Sequence, residues 1–218
     1  MGSELQGWKN TALLVIDMQK DFILAGGPLH VKGGESILPN VVAAVGLARA
    51  RNLPVVWVSY SNPIANRRDF QSLTTYLPTQ VVREHDPLGR DVELFRRHLY
   101  SPGNPRPTSK GTPGAELADG LSIGEGEYKL VKTRFSAFFN TNLHSFLQGL
   151  HIHNLIVTGV QTPNCIRQTV YDAVALDYRK ITVISDATAA ATPEIHFANL
   201  TDMMNIGVES QTLQEWMV

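Results

Sequence analysis

The chain has 218 residues, 43% of them apolar, which suits one globular domain with a sizeable core and leaves little room for a second. Its 19 basic and 20 acidic residues nearly cancel. No lysine- or arginine-rich run marks a nucleic-acid surface, and no apolar run approaches the length of a membrane span. Met1-Gly2-Ser3-Glu4-Leu5-Gln6-Gly7 lacks the basic and apolar regions of a signal peptide. A lone cysteine, Cys165, forms no internal disulfide. A cytoplasmic protein with no nucleic-acid and no membrane partner is therefore expected.

The first candidate strand is Thr11–Asp17, an apolar run ending in an aspartate. Such unbroken runs suit a strand buried on both faces of a parallel sheet. Its last residue lies at the carboxyl edge, where open α/β folds bind ligands, or else it caps a turn. A candidate helix follows at Ile37–Arg51, with Val41, Val42, Val45 and Ala48 as its apolar stripe. Pro54–Tyr60 reads as the second strand. Ser59–Gln80 then has no sustained apolar period and is rich in turn-formers. It reads as an active-site lid, a tolerated surface insertion or translated non-coding sequence. A helix is expected at Asp91–His98.

Tyr128–Lys132 is the third strand, ending in a lysine and followed by Phe135 and Phe138. A helix at Thr141–Leu150 leads to the fourth strand, Asn154–Gly159. The turn Gly159-Val160-Gln161-Thr162 then opens a helix at Pro163–Asp177, with Cys165 in its first turn. A thiol there feels the positive end of the helix dipole, which favours the thiolate, although a lone cysteine is more often small apolar filler. A strand at Lys180–Asp186, a helix at Pro193–Asn205 and a strand at Gly207–Thr212 complete the chain. Strand-helix alternation argues for an α/β fold, a mostly parallel sheet with helices on both faces. Right-handed crossovers would bring Asp17, Lys132 and Cys165 to one edge of that sheet.

The motifs around these residues are Asp17-Met-Gln-Lys-Asp-Phe, Lys132-Thr-Arg-Phe-Ser-Ala-Phe-Phe and Gly159-Val-Gln-Thr-Pro-Asn-Cys165-Ile. On them the chain resembles the isochorismatase-like cysteine hydrolases from about Lys9 to Trp216, as one domain with an atypical insertion at about 59–80. It looks closest to a plant-type branch labelled probable inactive nicotinamidases and is similar to the ureidoacrylate and biuret amidohydrolases. The resemblance implies a three-layer, Rossmann-like α/β fold with a six-stranded, mostly parallel sheet, and that Asp17, Lys132 and Cys165 form a catalytic triad. Cys165 would attack a carbonyl carbon, Asp17 would move the proton, and Lys132 would hold the two together. It also implies a cis Val160–Gln161 peptide, with the backbone N–H groups of Gln161 and Cys165 as an oxyanion hole. A trans turn with Gln161 facing water is the plainer reading.

Phe22, Phe135 and Phe138 are candidate pocket walls, although core packing is the commoner role of phenylalanine. Gln161 is a further substrate-binding candidate. Arg134 suits a substrate carboxylate or carbonyl, or a surface ion pair. Gln19 would brace the Asp17 loop, and Asp21 would cap the segment after it. The region Trp57-Val58-Ser59-Tyr60-Ser61-Asn62 lacks the Asp-x-His motif that true nicotinamidases carry after their second strand. No histidine spacing resembles a zinc site, so no metal and no cofactor are expected. The expected function is hydrolysis of a C–N bond in a small linear amide or ureide by a homo-oligomer. The alternative is a catalytically silent binding or assembly protein. The roles of Arg83 and His85 stay open.

Overall fold

The computed structural model describes residues 8, 10–60, 108 and 112–218. Residues 61–80 of the expected insertion, Arg83, His85 and the helix expected at Asp91–His98 lie outside the described residues. Six strands form one sheet in which every pair is parallel: β1 (Thr11–Ile16), β2 (Val55–Tyr60), β3 (Tyr128–Lys132), β4 (Asn154–Val160), β5 (Lys180–Ala189) and β6 (Glu209–Gln211). Their spatial order is β3-β2-β1-β4-β5-β6. The order reverses direction between β1 and β4, so the loops after these two strands diverge and leave a crevice at the carboxyl edge.

The burial of the strands follows their sequences. Every residue of β1 and β2 is buried, as continuous apolar runs covered on both faces should be. Two apolar clusters fill the two sides of the sheet. Leu13, Val15, Val55 and Trp57 face one, while Ala12, Leu14, Val56 and Val58 face the other. This is the period-two alternation of a pleated strand. The first cluster is closed by α2 (Gly34–Ala50), whose buried face is Ile37, Val41, Ala44, Val45 and Ala48. Val42, expected on this stripe, is 40% exposed, because a 100° step per residue carries it off the 41/45/48 line. The helix also begins before the expected Ile37 and runs through Pro39.

The other helices are α1 (Lys20–Ile23), α3 (Leu143–Gly149), α4 (Arg167–Ala175), α5 (Pro193–Met204) and α6 (Leu213–Met217). The expected helix at Pro163–Asp177 is instead two pieces. A wide π-type turn, Thr162–Ile166, carries Cys165, and α4 continues from it. Strand β5 runs past the expected Asp186 to Ala189. Its register against β4 shifts between Val157 and Gly159, so Gly159 pairs with Thr188.

Candidate active site

Three strand ends supply the site. Asp17 follows β1 with φ 53°, in the left-handed region that aspartate tolerates better than most residues. Its backbone N–H still donates to the Val58 carbonyl at 2.8 Å, so the turn begins with the strand ladder intact. Lys132 ends β3 opposite Tyr60 of β2. Cys165 lies in the turn after β4. At the base of that turn Gly159 has φ 111°, and a Cβ there would stand 2.0 Å from the Ile16 carbonyl oxygen. Only glycine lets β4 approach β1 this closely. The Thr162 hydroxyl pairs with His196 Nδ1 at 2.8 Å and ties the turn to α5.

The three side chains meet. Lys132 Nζ lies 2.8 Å from Asp17 Oδ2 and 3.3 Å from Cys165 Sγ, and it donates to the Arg134 carbonyl at 3.0 Å. Asp17 and Lys132 are fully buried, and Cys165 is 5% exposed. Burial pushes the Asp17 carboxyl above its usual range, while Lys132, the thiol and the Tyr60 backbone pull it back. Burial also works against the Lys132 ammonium, but Asp17 and Cys165 outweigh it and the group is held charged. The Cys165 thiol is driven well above its ordinary range, first by burial and then by the adjacent carboxylate, with Lys132 only partly opposing. A resting thiolate favoured by the helix dipole is therefore not what this geometry supports. The thiol keeps its proton, and the neighbouring carboxylate is the group placed to take it.

Phe22, Leu29, Tyr60, Phe135, Gln161 and Asn164 line a cleft over Cys165. The cleft is tight, with only about 10 Å³ of free volume, room for about one water molecule. Phe22, Phe135 and Gln161, three of the substrate-binding candidates, are among these lining residues. Gln161 turns into this cleft, where its Oε1 accepts from Asn164 Nδ2 at 3.3 Å, and the Val160–Gln161 peptide is cis. Phe138 does not line the cleft. Its ring packs against Tyr178 and His144, with centroids 5.6 and 6.5 Å away. That apolar neighbourhood lies on the α3 side of the sheet, so the more common role of phenylalanine prevails. Arg134 is also not brought to the cleft; its Nη1 donates to the Thr133 carbonyl at 2.9 Å.

Gln19 clamps the backbone of Tyr60, donating to its carbonyl at 2.9 Å and accepting from its N–H at 2.8 Å. A further bond to the Ala115 carbonyl at 3.0 Å makes it a three-way tie. Asp21 accepts from the Thr108 N–H at 2.5 Å, so it serves Thr108 rather than its own helix. Tyr60, Leu29 and Asn164 were missed as pocket residues. Tyr60 ends a strand at the carboxyl edge, a signal the sequence did offer. Leu29 offered none. Among the described residues, no group of three or more His, Cys, Asp or Glu could hold a metal ion. No helix among them is long and apolar enough to cross a membrane.

A parallel α/β sheet carrying an acid, an amine and a thiol at its switch point defines a class of α/β proteins equipped for covalent chemistry on a carbonyl group. Residues 11–215 match the Isochorismatase domain, and the chain belongs to the isochorismatase family. It is 60% identical over 210 residues to a probable inactive nicotinamidase of Arabidopsis thaliana, covering 96% of this chain and 95% of that one. It is 30% identical over 205 residues to the ureidoacrylate amidohydrolase RutB of Pantoea ananatis, covering 91% and 76%. Among solved structures, an isochorismatase family protein from Desulfovibrio vulgaris superposes with a TM-score of 0.79 at 36% identity. The match covers 94% of this chain and 95% of that one.

Proposed function

We propose that this chain is a cysteine-dependent amidohydrolase that cleaves a C–N bond of a small linear amide or ureide through a thioester. The observation that carries the reading is the buried contact of Asp17, Lys132 and Cys165 beneath the cleft. The relationship to a ureidoacrylate amidohydrolase supports an amide-type substrate. Asp17 takes the thiol proton as sulfur attacks the carbonyl carbon, so no free thiolate has to persist at neutral pH. The Gln161 and Cys165 N–H groups serve the oxyanion. Protonated Asp17 then gives its proton to the leaving nitrogen as the C–N bond breaks. Water attacks the thioester, Asp17 accepts a proton from it, and the sulfur leaves and regains a proton. Lys132 favours the ionised carboxylate whenever Asp17 has a proton to accept. We assign the chemistry to one domain at 9–216, in a cytoplasmic homo-oligomer without cofactor.

The test is ammonia release from ureidoacrylate, biuret, N-carbamoyl amino acids, maleamate and nicotinamide. Wild type should hydrolyse at least one, and Cys165→Ala none, while its melting curve stays cooperative. Ammonia release that survives Cys165→Ala would remove the thiol from the reaction. The name of the Arabidopsis relative favours a second reading, a protein that keeps the fold without turnover. That reading stands if no compound in the panel is hydrolysed by the wild type.

A further inference from the structure

We propose that Tyr60 is the specificity-determining residue of the Cys165 cleft, a fixed aromatic wall that admits small acyl groups and turns bulkier ones away. The inference rests on the amidohydrolase reading for its substrate class, but the wall itself is argued from geometry. Tyr60 is 3% exposed and lines the cleft. Its ring stands edge to face against Phe22, with centroids 6.4 Å apart and planes at 84°. The Lys132 ammonium lies 5.1 Å from its centroid, within the range in which an aromatic ring attracts a cation. The Gln19 amide grips its backbone at both N–H and C=O.

Each contact removes a way for the ring to yield. A side chain on a strand end usually moves aside by changing rotamer or by shifting its backbone. Here the backbone is clamped, and swinging the ring away would strip the buried ammonium of its π contact. The wall is therefore stiff. In a cleft with only about 10 Å³ of free volume, a stiff wall sets which acyl groups reach the sulfur.

Cys165 is the only cysteine of the chain, so alkylation reads this cleft without needing turnover. Iodoacetamide and iodoacetanilide deliver the same reactive carbon, the second with a phenyl group on the amide. Their rate ratio, normalised to glutathione, reports access. Any change in the reactivity of the thiol itself cancels in it. Wild type should favour iodoacetamide, and Tyr60→Ala should relax that preference by at least about tenfold, the scale of discrimination a pocket wall supplies. Tyr60→Phe, which keeps the ring, should hold the ratio within about threefold. Tyr60→Leu replaces the alanine variant if that one loses its cooperative melt. A ratio unchanged in both ring-deleted variants overturns the inference. If wild type hydrolyses no amide yet the ratio moves as expected, the amidohydrolase reading falls while the wall stands. If hydrolysis is established and the ratio does not move, only the wall falls.

Discussion

In the proposed reaction Asp17 is the base, and its environment suits that role. In the left-handed region, its side chain leaves the line of β1 and points across the switch point. Burial raises its pKa, and Lys132, 2.8 Å away, limits the rise. The balance matters for the proposed proton transfer. A carboxylate at its ordinary strength would be a poor acceptor for a thiol proton, and one stripped of its cation would stay protonated. The sign of the pH effect follows. The base works while ionised, so the rate falls as pH drops through its pKa. Since that pKa is raised, the acid limb of kcat/KM is expected above 3.8, the ordinary aspartate value. A limb at or below 3.8 would show that Asp17 is not the proton acceptor. The nearby Gly159 is equally constrained, for a side chain there would strike the Ile16 carbonyl and push apart the two strands that bring acid and thiol together.

The elements show which parts of this arrangement a sequence reader can recover. β1 and β2 announced themselves, since unbroken apolar runs have few other homes. Asp17 and Lys132 were legible because each charge closes such a run. The wide turn at Thr162–Ile166 was not, since propensity does not separate it from the first turn of α4. Phe138 was misplaced for a similar reason: a sequence says that an aromatic ring is near an edge, not which way it packs. Helix α6 was missed although its start carries a readable capping box, with Thr212 and Glu215 bonded reciprocally. Glu127 is a quieter case, a surface-looking glutamate that joins three elements. Its carboxylate accepts from Arg49 Nε of α2 at 2.7 Å, from Trp57 Nε1 of β2 at 2.6 Å and from the Gly124 N–H at 2.6 Å. The Arg49 bond leads in holding its pKa down to about 2, against an ordinary 4.5. A depressed carboxylate stabilises the fold above its unfolded pKa and loses that contribution as pH falls through the folded one. Glu127→Gln should therefore lower stability by about 1–2 kcal/mol at neutral pH, allowing for partial solvent screening. Urea melts should show the gap to wild type closing between pH 4.5 and about 2. A gap that stays constant across that range would mean the charge contributes nothing.

Across the whole molecule, the core that supports the site also reaches far from it, since Phe22 and Tyr60 of the cleft share one apolar cluster with Trp216. The cysteine, the lysine and the aspartate sit at the carboxyl edge of the sheet, while the C-terminal helix closes the side covered by α2. There Arg51 stacks over Trp8, 4.0 Å from the ring centroid, and Trp8 meets Trp216 edge to face at 5.6 Å. Arg51 also donates to the carbonyls of Trp216 at 3.3 Å and Met217 at 2.7 Å, and the Asp186 carboxylate accepts from the Leu213 N–H at 2.7 Å. Trp216 is 2% exposed, and its indole N–H has no hydrogen-bond partner among the described residues. Two opposing terms follow. The ring contributes a large apolar area, and the unpaired donor takes some of that stabilisation back. Trp216→Ala should cost about 3–5 kcal/mol, as core tryptophan deletions do. Trp216→Phe keeps most of the apolar body and discards the unpaired N–H, so it should cost far less, under about 1.5 kcal/mol. Chemical denaturation of the pair measures both. Because Trp216 is not among the residues lining the cleft, both variants should retain wild-type turnover per folded molecule. Equal losses in the two would show that the indole N–H is not the liability its burial implies, and a fall in turnover would show that the C-terminal helix reaches the site.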